Sequence, residues 1–256
     1  MSLADHLREL RKRVVIAAIG ILLGAVAGWL LYDPLIHKLT APLAAVRHAR
    51  GDVLVNLNFG GVTQPFSIQL KVALFLGIIV ASPIWLYQIW AFLVPGLTKK
   101  ERRTAMAFIC AAVPLFLGGC YLATWALPKA VEVLYSFTPA GQANLADASM
   151  YLAFVTRFIL AFGCAFLLPV FLVMLNVAHV LPARVMLKGW RVAVMLIAVF
   201  AAMMTPTPDA WTMLALMMPM VALYYGAVGV AFLMDRKRAR EQPNWVDVPD
   251  DEASEL

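Results

Sequence analysis

The sequence predicts an all-α polytopic membrane protein with six transmembrane helices, both termini cytoplasmic and curved helices around a concave face. Three observations carry that expectation. Of the 256 residues, 62% are hydrophobic and only 14% charged, far from the usage of soluble globular domains. Six apolar runs fall at 14–32, 70–94, 104–127, 151–179, 190–204 and 210–234, against the roughly 20 residues that an α-helical span needs. The alternating segments of about ten residues that mark a membrane barrel are absent. Finally, the basic residues are sorted by loop. Arg8, Arg11, Lys12 and Arg13 precede the first run, and Lys99, Lys100, Arg102 and Arg103 follow the second. Arg184, Lys188 and Arg191 follow the fourth, and Arg236, Lys237, Arg238 and Arg240 follow the sixth, so fifteen of the 21 cations fall on one side. Cytoplasmic loops are enriched in Lys and Arg, which sets the orientation. The net charge of +6 is therefore topological and does not point to nucleic acid.

Residues 1–13 place Leu3, Leu7, Leu10 and Val14 along one helical face with Arg8, Arg11 and Lys12 on the others, the pattern of an amphipathic helix at the cytoplasmic interface. The following apolar run is longer than a typical signal-peptide core and lacks a small-x-small cleavage site, so it is expected to stay as the first span. Segments 33–69 and 128–149 are expected to be extracytoplasmic caps, the second with a helical start from Lys129 to Tyr135. Thr205-Pro206-Thr207-Pro208-Asp209 is a tight turn, because two prolines cannot continue a helix. It leaves the fifth run only about 22 Å long, at 1.5 Å per residue, against a hydrocarbon core of about 30 Å. Either packing or local bilayer thinning must absorb the difference. Pro83, Pro114, Pro169 and Pro219 each remove a helix hydrogen bond and bend their spans. A single membrane domain, 1–235, is followed by a charged tail, 236–256, with too little apolar surface to fold alone.

Chemical signatures are sparse. No HExxH, Walker A or GxSxG pattern is present, and Cys110, Cys120 and Cys164 lie inside apolar runs without CxxC spacing. No metal site, cofactor or enzymatic activity is expected. Arg157 is the one clear ionisable residue inside a span. It either snorkels outward, the favoured reading, or pairs with Asp209. On the cationic side, Asp5, Glu9 and Glu101 are the acidic residues ahead of the tail. A carboxylate there can bind a guanidinium bidentately. Alternatively, Glu9 and Glu101 pair with Arg13 and Arg102 or cap a helix. A small-solute secondary transporter would show inverted repeats and a coordinating cluster near the midplane, and neither is evident.

The segment Leu86-Tyr87-Gln88-Ile89-Trp90-Ala91-Phe92-Leu93-Val94-Pro95-Gly96-Leu97, with Lys100-Glu101-Arg102-Arg103 after it, closely resembles a motif of the TatC family. That family is the receptor subunit of the twin-arginine protein translocase. The opening from His6 to Arg13, the Pro65-Phe66 pair, and the turn from Thr205 to Asp209 with Pro219 resemble further TatC segments in order. The resemblance implies that folded cargo bearing twin-arginine signal peptides docks on the cytoplasmic face. It makes Glu101 the principal acceptor for the arginine pair, Glu9 its helper, and Phe92, Pro95, Arg11 and Arg103 the surrounding surface. Pro42, Phe66, Gln88, Pro206, Asp209, Tyr225 and Arg157 are candidates for structural or partner contacts. The family also implies TatA-type and TatB-type single-span partners, a homo-oligomeric receptor in the cytoplasmic membrane of a prokaryote, and transport driven by the protonmotive force, with no ATP site. Two positions depart from the family: Leu167 and Tyr225 stand where many members carry glutamates.

Overall fold

The computed structural model describes residues 3–50, 56–93, 99–137, 145–177, 180–204 and 210–241. The architecture is nearly all helical, with nine α-helices and one two-stranded sheet among these residues. Four helices are long and apolar enough to cross a membrane, a fifth such span is a bent pair, and a shorter apolar helix runs from Trp190 to Met204.

Helix α1 spans Leu3–Leu30 without interruption. The separate amphipathic helix expected at 1–13 is instead the first turns of this rod. No Gly or Pro breaks the basic segment, and Glu9 and Arg13 pair at i,i+4 spacing, which supports the helix across the charged stretch. Helix α2, Tyr32–Arg50, follows after a one-residue turn, with Asp33 and Pro34 in its first turn where a missing N–H costs nothing.

Helices α3, Gln64–Val80, and α4, Ser82–Leu93, form the second apolar run, bent by 60°. Pro83 cannot donate to the preceding turn, and the Trp85 indole N–H donates to the Ile78 carbonyl across the break at 2.9 Å. Helix α5, Lys99–Ser136, is longer than the third run at both ends. The polar segment expected to be a loop is helical from Lys99 onward, and the helical start expected at Lys129 is a continuation past Pro128. Helix α6 is Ala148–Val177, α7 is Ala183–Lys188, α8 is Trp190–Met204 and α9 is Ala210–Glu241. The tail boundary drawn at residue 236 is thus too early by two turns of helix, and 242–256 lies outside the described residues.

Connectivity and contacts place the ends. His6 on α1 meets Phe92 at the end of α4, Trp90 meets Phe108 near the start of α5, and Phe108 meets Phe171 late in α6. Arg238 of α9 reaches the last carbonyls of α6. These groups define one end of the bundle, called here the termini end. At the opposite, cap end, strands β1, Asn56–Asn58, and β2, Leu145–Asp147, pair in parallel with Leu57 opposite Ala146.

Close backbone packing holds the interior. Gly77 of α3 lies so near α1 that an added Cβ would stand 2.5 Å from the Ile21 carbonyl, and one on Gly24 would stand 2.9 Å from the Gly77 carbonyl. Gly20, Gly24 and Gly28 repeat every four residues along α1, the small-residue spacing that lets membrane helices approach and gain dispersion contacts. Phe116, Phe162, Ile159 and Val155 are fully buried between α5 and α6. Leu22, Leu23, Val26 and Leu30 on the outer face of α1 are exposed, as suits a lipid-facing surface.

Candidate functional site

The site residues proposed from sequence are gathered only in part. Glu9, in the second turn of α1, accepts two hydrogen bonds from Arg13, at 3.1 Å from Nε and 2.5 Å from Nη2. Both land on Oε1, which leaves Oε2 without a partner among the described residues. The two side chains are 23% and 20% exposed, shielded enough to strengthen the pair yet still reachable. One turn before Glu9, the His6 ring lies 4.5 Å from the Phe92 ring, with 32° between the planes. Thus His6, Glu9 and Arg13 share the face that α1 turns toward α4. Gln88, half-buried, precedes Phe92 by one turn of α4.

Arg11 is exposed and lies about 200° around the helix from Glu9 at 100° per residue, so it does not belong to that face. Glu101 and Arg103 fall in the first turns of α5, but their side chains, like Pro95, lie outside the described residues. So do Pro206 and Asp209. The remaining candidates are dispersed. Pro42 is buried inside α2. Phe66, at the cap end, is exposed with its edge toward Trp29 at 5.9 Å. Arg157 is exposed beside Lys71 in a groove of about 650 Å³, and Tyr225 is exposed on α9 beside Tyr224. Leu167 is buried.

Two polar nodes were missed by sequence reasoning. At the cap end, Asp147 caps α6 by accepting the Met150 amide at 2.8 Å, and its second oxygen accepts from the Gln64 side chain at 2.8 Å. Gln64 in turn accepts from the Gly60 amide. The Met150 amide, followed by Gln64, holds the Asp147 carboxyl below its usual value. Nearby, Lys71 donates to Ser149 at 3.0 Å, and the buried Tyr151 hydroxyl donates to the Leu39 carbonyl at 3.0 Å. An aspartate just before an apolar run is a helix-start signal, so the cap, though not its partner, could have been found.

The other node lies at the termini end. Asn176, 1% exposed, donates to the Leu181 carbonyl and to Asp235, both at 3.0 Å. Asp235 also accepts the first amide of α7, that of Ala183, at 2.9 Å. Arg238 donates to the carbonyls of Asn176 and Val177 at 2.9 and 3.1 Å. No spacing rule connects residue 176 to residue 235, so this link appears only in three dimensions. Among the described residues, no three His, Cys, Asp or Glu side chains converge in a metal-binding group.

Comparison with known proteins identifies the family to which this fold belongs. Residues 5–219 match the family model described as Sec-independent protein translocase protein (TatC). The Sec-independent protein translocase protein TatC of Xylanimonas cellulosilytica is 51% identical over 94% of this chain and 87% of its own length. The TatC of Rothia mucilaginosa is 38% identical over 94% of this chain and 82% of its own length. A crystal structure of the twin-arginine translocase receptor TatC superposes with a TM-score of 0.70 at 29% identity, covering 88% of this chain and 99% of that one. With its family-wide sequence match, its multiple apolar helices and its likeness to a solved relative, this chain is a polytopic membrane protein that belongs to the TatC family of Sec-independent protein translocase proteins.

Proposed function

We propose that the protein is the receptor component of the twin-arginine translocase. It binds the signal peptides of folded proteins at the termini end and nucleates their export under the protonmotive force. The observation that carries this reading is the Glu9 carboxylate. It grips a guanidinium through one oxygen and keeps the other open, beside an aromatic pair that ties α1 to the end of α4. A guanidinium from a signal peptide would take the open oxygen or exchange with Arg13, at little net cost because one arginine replaces another. Glu101, in the first turn of α5, is the principal acceptor, and Phe92, Pro95 and Arg103 complete the docking surface, whereas Arg11 stands on another face of α1 and is left out of it. Planar, bidentate recognition explains why arginines and not lysines would be required.

In this reading the termini end faces the cytoplasm of a prokaryote and the cap end lies outside. The six passes are α1, the bent α3 and α4, α5, α6, the short α8 and α9. The shortness of α8 supports local thinning of the bilayer. TatA-type and TatB-type single-span proteins are the expected partners of a homo-oligomeric receptor.

The test is binding of a fluorescent twin-arginine signal peptide and its twin-lysine variant to the protein in lipid nanodiscs. The arginine peptide is expected to bind tighter. Glu101→Ala is expected to lower its affinity about ten- to a hundredfold, the range for losing a charged hydrogen-bond partner, and to impair export correspondingly. Equal binding of both peptides to the native and Glu101→Ala proteins would overturn the receptor reading.

A further inference from the structure

The groove between α7, the start of α8 and α9 has a volume of about 670 Å³ and is lined by three cations, Arg184, Lys188 and Arg191. Among the described residues, none of the three forms an ion pair and no carboxylate lines the groove. Its walls are apolar and aromatic: Leu187 and Trp190 on one side, Tyr225 and Phe232 on the other. All four are exposed, between 37% and 44%. The Arg191 guanidinium lies 5.8 Å from the center of the Trp190 ring, within range of a cation–π contact.

The cations stand on a fixed frame. Tyr224 donates to the Met186 carbonyl at 2.6 Å, and Asp235 accepts the Ala183 amide at 2.9 Å. Together these bonds pin α7 to α9. Arg184 and Lys188, four residues apart, therefore project from one face of a helix whose position is set. Asp235, the nearest acidic residue along α9, bonds the Ala183 amide, Asn176 and Arg238. Among the described residues, the groove thus joins positive charge without a paired carboxylate to exposed apolar surface at one membrane boundary. Charge alone would suit any anion and apolar surface alone would suit any lipid, but the two together fit a molecule with an anionic head and hydrocarbon tails.

We infer that this groove binds an anionic phospholipid of the adjoining leaflet. The phosphate sits among Arg184, Lys188 and Arg191, and an acyl chain lies against Leu187 and Phe232. Basic pockets between membrane helices favour such headgroups, each Lys or Arg adding to the attraction, and Trp and Tyr are at home at this depth. The inference requires only that the bundle stands in a membrane and does not depend on signal-peptide binding.

The protein would be placed in phosphatidylcholine vesicles containing a minority of lipid brominated on its acyl chains, either phosphatidylglycerol or phosphatidylcholine. Quenching of Trp190 is the difference between the native protein and Trp190→Phe. Brominated phosphatidylglycerol is expected to be enriched there on the order of tenfold over brominated phosphatidylcholine. The combined Arg184→Gln, Lys188→Gln and Arg191→Gln variant should abolish the enrichment. An equal loss of charge at the same end, Arg8→Gln, Arg236→Gln and Arg240→Gln, should preserve it. Tyr225→Glu keeps all three cations but sets a carboxylate on the groove wall, and should lower the enrichment in a protein that needs no refolded core. Equal quenching by the two lipids would overturn the assignment and leave the groove to an acidic segment of a protein partner. Loss in the control variant as large as in the groove variant would also overturn it, since only the general charge of that end would then be at work.

Discussion

Asp235 and Glu9 stand at the same end of the bundle and each faces an arginine, yet the two carboxylates are used differently. Asp235 joins α9 to the end of α6 and the start of α7 through Asn176 and the Ala183 amide, while Arg238 beside it covers the last carbonyls of α6. Among the described residues, Glu9 bonds only to Arg13 of its own helix, and α1 touches its neighbour through the adjacent His6 and Phe92 rings. In one corner the charge is consumed by architecture, and at the other edge it is held locally and remains exchangeable. The difference teaches that a carboxylate near a membrane boundary is read by what it bonds to across elements. Its residue type and depth alone do not separate the roles.

The largest expected effect breaks the structural side of this pair. Asp235→Ala removes the acceptor of the Ala183 amide, of the buried Asn176 side chain and of Arg238 at once. Buried donors left unpaired lose their hydration without compensation. The expected loss is about 2–3 kcal/mol, visible as a lowered midpoint of thermal unfolding in detergent. Asp235→Asn keeps one acceptor and should lose less. An unchanged midpoint in Asp235→Ala would mean that packing alone holds α7.

A second contrast runs between the two ends. At the cap end Asp147 resembles Asp235 in bridging elements, since it caps α6 and accepts from Gln64 of α3. Its folded-state value lies below the ordinary 3.8. Such a group gives its full stabilising share above the unfolded value, and that share is lost as pH falls through the lower folded value. Acidification below about pH 4 is therefore expected to lower the protection of the Met150 and Gly60 amides, measured against their intrinsic exchange rates at the same pH, before it affects the interior of α6. Asp147→Asn should show this lower protection already at neutral pH. Protection that does not respond to acid would show that the strand pairing, and not the carboxylate, holds the cap.

How much of this could be read beforehand follows from the range of the forces involved. The bend near Pro83 and the limits of α8 were legible because proline acts on its own helix. Helix α2 was hidden by its weak apolar periodicity and internal Pro42. The pairing of 56–58 with 145–147, like that of Asn176 with Asp235, links residues far apart in sequence. The continuity of α1 and the length of α9 were underestimated for a common reason: charged residues end an apolar run without ending a helix. The Gly20, Gly24 and Gly28 spacing was legible and passed over. At the candidate site, Arg11's separation from Glu9 was already implicit in the helix expected over 1–13, and only the family resemblance had grouped the two.

The smallest effect on stability is expected where the effect on binding should stand clear of it. Glu9→Gln removes one partner of an i,i+4 pair, and such pairs contribute about 0.5 kcal/mol or less when partly exposed. The unfolding midpoint should hardly move, because among the described residues no neighbouring helix loses an acceptor. The glutamine still offers one carbonyl oxygen to a guanidinium but no negative charge, so signal-peptide affinity should fall severalfold, less than for Glu101→Ala. Arg13→Gln separates the two roles of Glu9. If Arg13 merely occupies the carboxylate until a ligand arrives, removing it should strengthen signal-peptide binding, whereas if it orients the carboxylate, binding should weaken. A large loss of stability in Glu9→Gln would instead place Glu9 with Asp235 among the architectural carboxylates, and the contrast between the two edges would fail.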